Sequence, residues 1–214
     1  MYQGKIDLHL HLDGSLSPAF MRERLAQYGY PVPADLRRAM TAPEVCSNLA
    51  DYLTLFDLTD CVLQYADALE ACAFDLVRRL AEQGLLYAEI RFAPARHQAR
   101  GLTQEEAVES VLRGLRRAGA AYPSIKTGLL LCFLIGDEAN HAATLQAGER
   151  FYTHGVSGMD LAGPEGLKPL ETYAPLFRRV RDMGTPSRST PVSAAATKMS
   201  AWRWTSGPAA SATA

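Results

Sequence analysis

Two histidines one residue apart, His9 and His11, are the residues of this sequence best spaced for metal chemistry. They lie in the run KIDLHLHLDG, residues 5–14. A strand alternates faces with a period of two, so Asp7, His9, His11 and Asp13 share one face, and Ile6, Leu8, Leu10 and Leu12 share the other. Two imidazoles so spaced can converge on one ion, and histidine with carboxylate support suits Zn2+. The competing reading is a half-exposed strand that turns its polar residues to water. Context favours the metal, because the neighbouring strands look buried on both faces. This strand also ends in Asp-Gly, at the end of a barrel strand where barrel enzymes keep their chemistry.

The elements that must position these residues follow from the apolar pattern. Four aliphatic runs read as strands, at residues 5–12, 85–92, 127–135 and 156–161. Residues 51–83 carry Leu55, Leu58, Val62, Tyr65, Leu69, Phe74, Val77 and Leu80 near a 3.6-residue repeat, and Gly84 supplies the stop. Thr103 with Glu106 makes a capping-box start for a helix through about Ala118. A further amphipathic run covers residues 169–183, ended by Gly184. Strand and helix in alternation predict βαβ units and a parallel sheet. No glycine-rich phosphate loop follows the first strand, which weakens a nucleotide-binding doubly wound sheet. The insertion over residues 15–84 is typical of a cap on the upper face of a barrel. The predicted fold is α/β, an incomplete (β/α)8 barrel of about four strand–helix units.

Bulk properties narrow the class. A chain that is 48% hydrophobic and 21% charged has ample material for a core. A net charge of -1 with no basic run argues against a nucleic-acid partner. Cys46, Cys61, Cys72 and Cys132 show neither CxxC spacing nor a disulfide rhythm, and read as core thiols in a reducing compartment. No secretory signal precedes the first strand, and no apolar stretch reaches membrane-spanning length. A cytoplasmic protein with no membrane partner is expected.

The run HLHLDGSLSP resembles the N-terminal signature of the adenosine deaminase family, zinc-dependent amidohydrolases built on the (β/α)8 barrel. DYLTLFD at 51–57, YAEIRFAP at 87–94 and MDLAGPE at 159–165 agree with it in order and approximate spacing. The resemblance covers about residues 5–184 and implies hydrolytic deamination of adenosine or deoxyadenosine in purine salvage. It implies that His9 and His11 bind Zn2+ and that His11 also lies against the substrate. It implies that Asp13 holds the ribose 5′-hydroxyl; relatives acting on free adenine tend to carry Glu there, so Asp13 favours a nucleoside. Gly163 would offer backbone to the purine edge, and Tyr52, Leu53 and Phe56 resemble the apolar lid. Read without the resemblance, those three are helix core, and DLAG is a plain strand-end turn. The alternatives are an adenine or other aminopurine deaminase and, in another class, a non-catalytic barrel fragment.

Other candidates read as structural. Glu89 and Arg91 share a strand face and predict a buried ion pair. His154 precedes the fourth strand, on the non-catalytic side. His97 and His141 follow strands two and three and read as solvated loop histidines. The HxE…PCxxC pattern of cytidine-type deaminases is absent.

Family members draw a third zinc histidine and the general-acid glutamate from a strand reading roughly TVHAGE, another histidine from a GHG segment, and a zinc aspartate from the eighth strand. None of these occurs here, so no catalytic acid is assigned. Residues 185–214 are instead dense in Ser, Thr, Ala and Pro, hold both tryptophans, and read as a disordered, non-native tail after a barrel segment of residues 1–184. Back-translated and read one nucleotide earlier, SRSTPVSAAATKMSAWRWTSGPAASATA allows FTVHAGECGSYKNVCMAVDLGASRIGHG. Both missing motifs appear in family order, as expected of a frameshifted fifth and sixth strand.

Overall fold

The structure is a computed structural model that describes residues 4–41, 56–164 and 167–183. Four strands, β1 (Lys5–His11), β2 (Leu85–Phe92), β3 (Lys126–Leu134) and β4 (Val156–Ala162), lie side by side in chain order. All three pairings are parallel, as the strand–helix alternation predicts. The strand bounds depart from the predicted ones by a residue at most.

Helices return the chain between strands. After β1 come α1 (Pro18–Gln27), α2 (Leu36–Ala39), α3 (Asp57–Val62) and α4 (Ala66–Glu82). The periodic run predicted over 51–83 is therefore two helices, broken at Leu63, Gln64 and Tyr65; residues 51–55 lie outside the described ones. Gly84, at φ +78°, ends α4 in a conformation that glycine adopts without steric cost. The helix α5 (Gln104–Ala121) starts with the predicted capping box, its Thr103 hydroxyl receiving the Glu106 amide while Glu106 accepts from the Thr103 amide. The helix α6 (His141–Phe151) follows β3, where the sequence reading names no helix. A turn at Leu170–Tyr173 leads into α7 (Ala174–Asp182) after β4.

The core lies between sheet and helices. Ala88, Ile90 and Phe92 of β2 and Leu129, Leu131 and Phe133 of β3 pack under Leu69, Leu76, Val108, Val111 and Leu112. The opposite face of β2 carries Glu89 and Arg91, both buried. Cys72 and Cys132 are buried free thiols and Cys61 is half-buried; Cys46 lies outside the described residues. Among the described residues no helix is long and apolar enough to cross a membrane.

The outer strand β1 is the exception to this burial. Ile6 and Leu8 are exposed, as is Leu86 at the start of β2. The ladder between β1 and β2 also slips. Asp7 faces Ala88, whereas Leu10 faces Ile90, so β1 spends three steps where β2 spends two. The strict alternation predicted from Asp7 to Asp13 is thus interrupted at Leu8 and His9 by a bulge.

Candidate active site

The carboxyl ends of the four strands carry the candidate site. His9 and His11 lie at the end of β1, with their Nε2 atoms 3.4 Å apart and their rings tilted by 38°. Two nitrogens bound to one tetrahedral zinc at roughly 2.05 Å stand about 3.3 Å apart. The imidazoles therefore fit two positions of one zinc. Burial, followed by the Arg91 charge, holds the pKa of both rings below the ordinary value. Both effects favour the neutral imidazole, the form that binds metal. Among the described residues no three His, Cys, Asp or Glu side chains gather as a metal-binding group. The donor set here is this pair.

Asp13 follows directly. Its Oδ1 accepts the Gly14 amide at 3.0 Å and lies 3.8 Å from His11 Nδ1. Burial, with the Asp60 carboxylate adding to it, pushes Asp13 up to about 6, against the pull of Arg96. Arg96 is itself ion-paired with Asp60. Next to this group, a Cβ placed on Gly14 would come within 3.8 Å of the Phe56 ring and 3.7 Å of His11 Cβ. Phe56 thus borders the mouth beside His11 and Asp13. Tyr52 and Leu53 lie outside the described residues.

Gly163 closes β4 on the same side. Its φ of +129° belongs to glycine, and an added Cβ would sit 3.1 Å from both Ile135 Cβ and Ile135 N.

Sequence reasoning missed several members of this region. Arg91 forms its ion pair with Asp160 of β4, two strands away, whereas the sequence points to Glu89 on the same strand. Such a partner is invisible without the strand order. His97 and His141 are buried, contrary to the solvated reading. His97 stacks on Phe92 at 5.5 Å, and burial holds it down at about 4. His141 opens α6, its Nε2 2.8 Å from the Leu134 carbonyl. His97 is covered by the end of β2 through Phe92, and His141 by Phe133 and Tyr173. His154 precedes β4, as predicted, and is exposed. Asp60 and Arg96 carried no sequence signal, since they meet only through the approach of α3 to the turn at Pro94–His97.

Four parallel strands alternating with helices match the start of a (β/α)8 barrel. Comparison with known proteins gives the family. The adenosine deaminase family model matches residues 4–191, and the chain belongs to that family. It is 42% identical to adenosine deaminase of Haemophilus ducreyi over 193 residues, covering 86% of this chain and 56% of that protein. Against adenosine deaminase of Enterococcus faecalis it is 37% identical, with 85% and 55% covered. The chain spans about half the length of the curated relatives it matches. In fold it is similar to adenine deaminase from Arthrobacter aurescens, with a TM-score of 0.72 at 24% identity over 85% of this chain and 55% of that one. It is also similar to a zinc-bound amidohydrolase from Burkhoderia ambifaria, with a TM-score of 0.74 at 18% identity over 86% and 50%.

Proposed function

We propose that this chain is the first half of a zinc-dependent deaminase that converts adenosine or deoxyadenosine to inosine or deoxyinosine and ammonia, and that the 214-residue polypeptide is itself inactive. The observation that carries the reading is the 3.4 Å approach of His9 Nε2 to His11 Nε2 beside Asp13, in a chain of this family. His9 and His11 would hold the zinc, which when bound acidifies water toward neutral pH. Asp13 accepts the ribose 5′-hydroxyl, His11 lies against the substrate, Gly163 presents backbone to the purine edge, and Phe56 covers the base together with Tyr52 and Leu53. The inactivity follows from the donor count, because catalytic zinc sites use three or more protein ligands. The residues that complete the site in the family, including the acid that protonates the ring nitrogen, are not among these 214. We place the barrel segment at 1–184 and assign 185–214 to a frameshifted reading of the next two strands. The setting is cytoplasmic purine salvage, with a small nucleoside as partner and neither nucleic acid nor membrane.

The test has two arms. The chain as given, purified with zinc, is mixed with adenosine while the absorbance change on deamination is followed. No turnover is expected, and a rate near that of an intact deaminase refutes the claim of inactivity. The gene around Gly184 is then sequenced and restored by one base. Recovered activity on adenosine over adenine supports both the frame and the role of Asp13; a preference for adenine overturns the latter.

A further inference from the structure

At the bulge in β1, two backbone groups of one peptide are bonded by side chains. The His9 amide donates to Asp7 Oδ1 at 2.9 Å, a bond from a residue two places earlier in the same strand. The Leu8 carbonyl accepts from Arg91 Nη2 at 2.8 Å, across from β2. Arg91 is only 4% exposed, and its other terminal nitrogen is ion-paired with Asp160 Oδ2 on β4. That carboxylate is fixed in turn, because its Oδ1 accepts the Leu161 amide at 2.8 Å. A continuous chain of bonds therefore runs from β4 through β2 to the single peptide unit between Leu8 and His9.

We propose that Arg91, braced by Asp160, and Asp7 clamp the Leu8–His9 peptide of the β1 bulge, and that this clamp sets the angle at which His9 meets His11. Neither Arg91 nor Asp160 acts as a zinc ligand in this scheme; both are positioning residues. Side chains two apart on a regular strand stand nearly parallel, about 6.6 Å from each other at the backbone. Convergence of the two Nε2 atoms to 3.4 Å requires one ring to lean, and the tilt between the rings is 38°. The extra residue in β1 supplies that lean, since a bulge re-aims a side chain by bending the strand. Without these two bonds the peptide is held less firmly, and His9 shifts its heading while His11, on the regular ladder opposite Arg91, keeps its own. Outer partners of this kind typically change metal affinity by about 10–100-fold. The proposal rests on the reading of His9 and His11 as a zinc pair.

The experiment uses the full chain at low micromolar concentration. Zinc affinity is measured by competition with a chromophoric chelator, and amide hydrogen exchange is followed in the metal-free protein. Arg91→Met is expected to weaken zinc binding by about tenfold or more and to accelerate exchange of the His9 amide far more than that of Ile90 or Leu131. Arg91→Lys, which keeps one donor for the Leu8 carbonyl, is expected to recover part of both. Arg91→Met leaves the half-buried Asp160 without its guanidinium partner, so the double variant Arg91→Met/Asp160→Leu is the companion in which that penalty is removed. It should fold and still bind zinc weakly. As a control for general loss of stability, Arg113→Met breaks an outer ion pair with Glu70 and should leave both readouts unchanged. Wild-type zinc affinity in the double variant, or uniform acceleration of exchange across β1 and β2, overturns the clamp. If the wild type takes up no zinc that His9→Gln abolishes, the zinc reading fails, and the exchange measurement alone decides the clamp.

Discussion

His97 shows what burial does to a single titratable group. Its ring is fully enclosed and stacked on Phe92; burial and the Arg96 charge depress its pKa to about 4, against the pull of a bond to the Leu63 backbone. A histidine whose folded pKa is depressed adds stability above its unfolded value, near 6.5, and loses it as pH falls toward the folded value. The chain should therefore lose on the order of 3 kcal/mol through His97 between about pH 6.5 and pH 4. Asp13 runs the other way, because its raised pKa favours the folded state at the acid end of the same window. Comparing wild type with His97→Gln by urea denaturation at pH 7 and pH 4.5 cancels the Asp13 contribution. The difference between the two proteins should shrink at acid pH; an unchanged difference refutes the assignment. Gly163 allows a second test at this scale. Gly163→Ala combines a left-handed φ with a Cβ pressed against Ile135, and should destabilise by about 1–3 kcal/mol, read as a lower urea midpoint. The histidine pair, Asp13 and Gly163 were legible because their types and spacing are local properties of the chain. The Arg91–Asp160 pair was not, because it joins residues 69 apart in sequence whose meeting depends on strand order.

Between elements, the closest packing is of α4 on α5, and it turns on a glycine. A Cβ at Gly114 would fall inside contact distance of the Glu70 carbonyl and 2.8 Å from Ala73 Cβ. Gly114→Ala gains helix propensity of about 1 kcal/mol in isolation. Here it forces two helix backbones apart, and overpacking of this kind costs about 1–3 kcal/mol. The net effect should be destabilising, with a lower urea midpoint; a higher one shows that the helices can separate at no cost. Thr103→Ala, at the capping box of α5, should cost about 1 kcal/mol by the same measurement. The cap was readable from four residues, whereas the glycine was not: nothing in QEEAVESVLRGLRRAG says which face of the helix meets a neighbour. Similarly, a period of 3.6 located the apolar residues of 51–83 but not the break at Leu63–Tyr65. Gln64 sits in that break and bonds the Arg96 carbonyl at 2.8 Å and the Ala99 amide at 2.9 Å, contacts far along the chain.

For the molecule as a whole, the sheet described here has two outer strands, β1 and β4, and no pairing closes it among the described residues. Outer strands with bare backbone groups are templates for association. Ile6, Leu8 and Leu86 add exposed apolar surface beside β1. The chain should self-associate with rising concentration, sedimenting above its monomer mass of 23.3 kDa, and Ile6→Lys should reduce this. A monodisperse monomer at high concentration, melting cooperatively, refutes the expectation. The fold class was readable at this scale because alternation of strand and helix dictates a parallel sheet. The exposure of β1 was not, since its residues read as those of a strand buried on its outer face.

The spatial order of the sheet repeats the order of the chain. No strand has to thread between two that are already paired, so each can join the growing edge as it leaves the ribosome. In a closed eight-stranded barrel built this way, β1 is the seed of assembly, and its free side waits until the last strand returns. The strand that carries His9 and His11 is then the earliest of these four to emerge and the last to be enclosed. An edge that stays open through assembly is exposed to solvent and to other chains for that whole time, so the histidine-bearing strand is also the one most at risk of pairing wrongly.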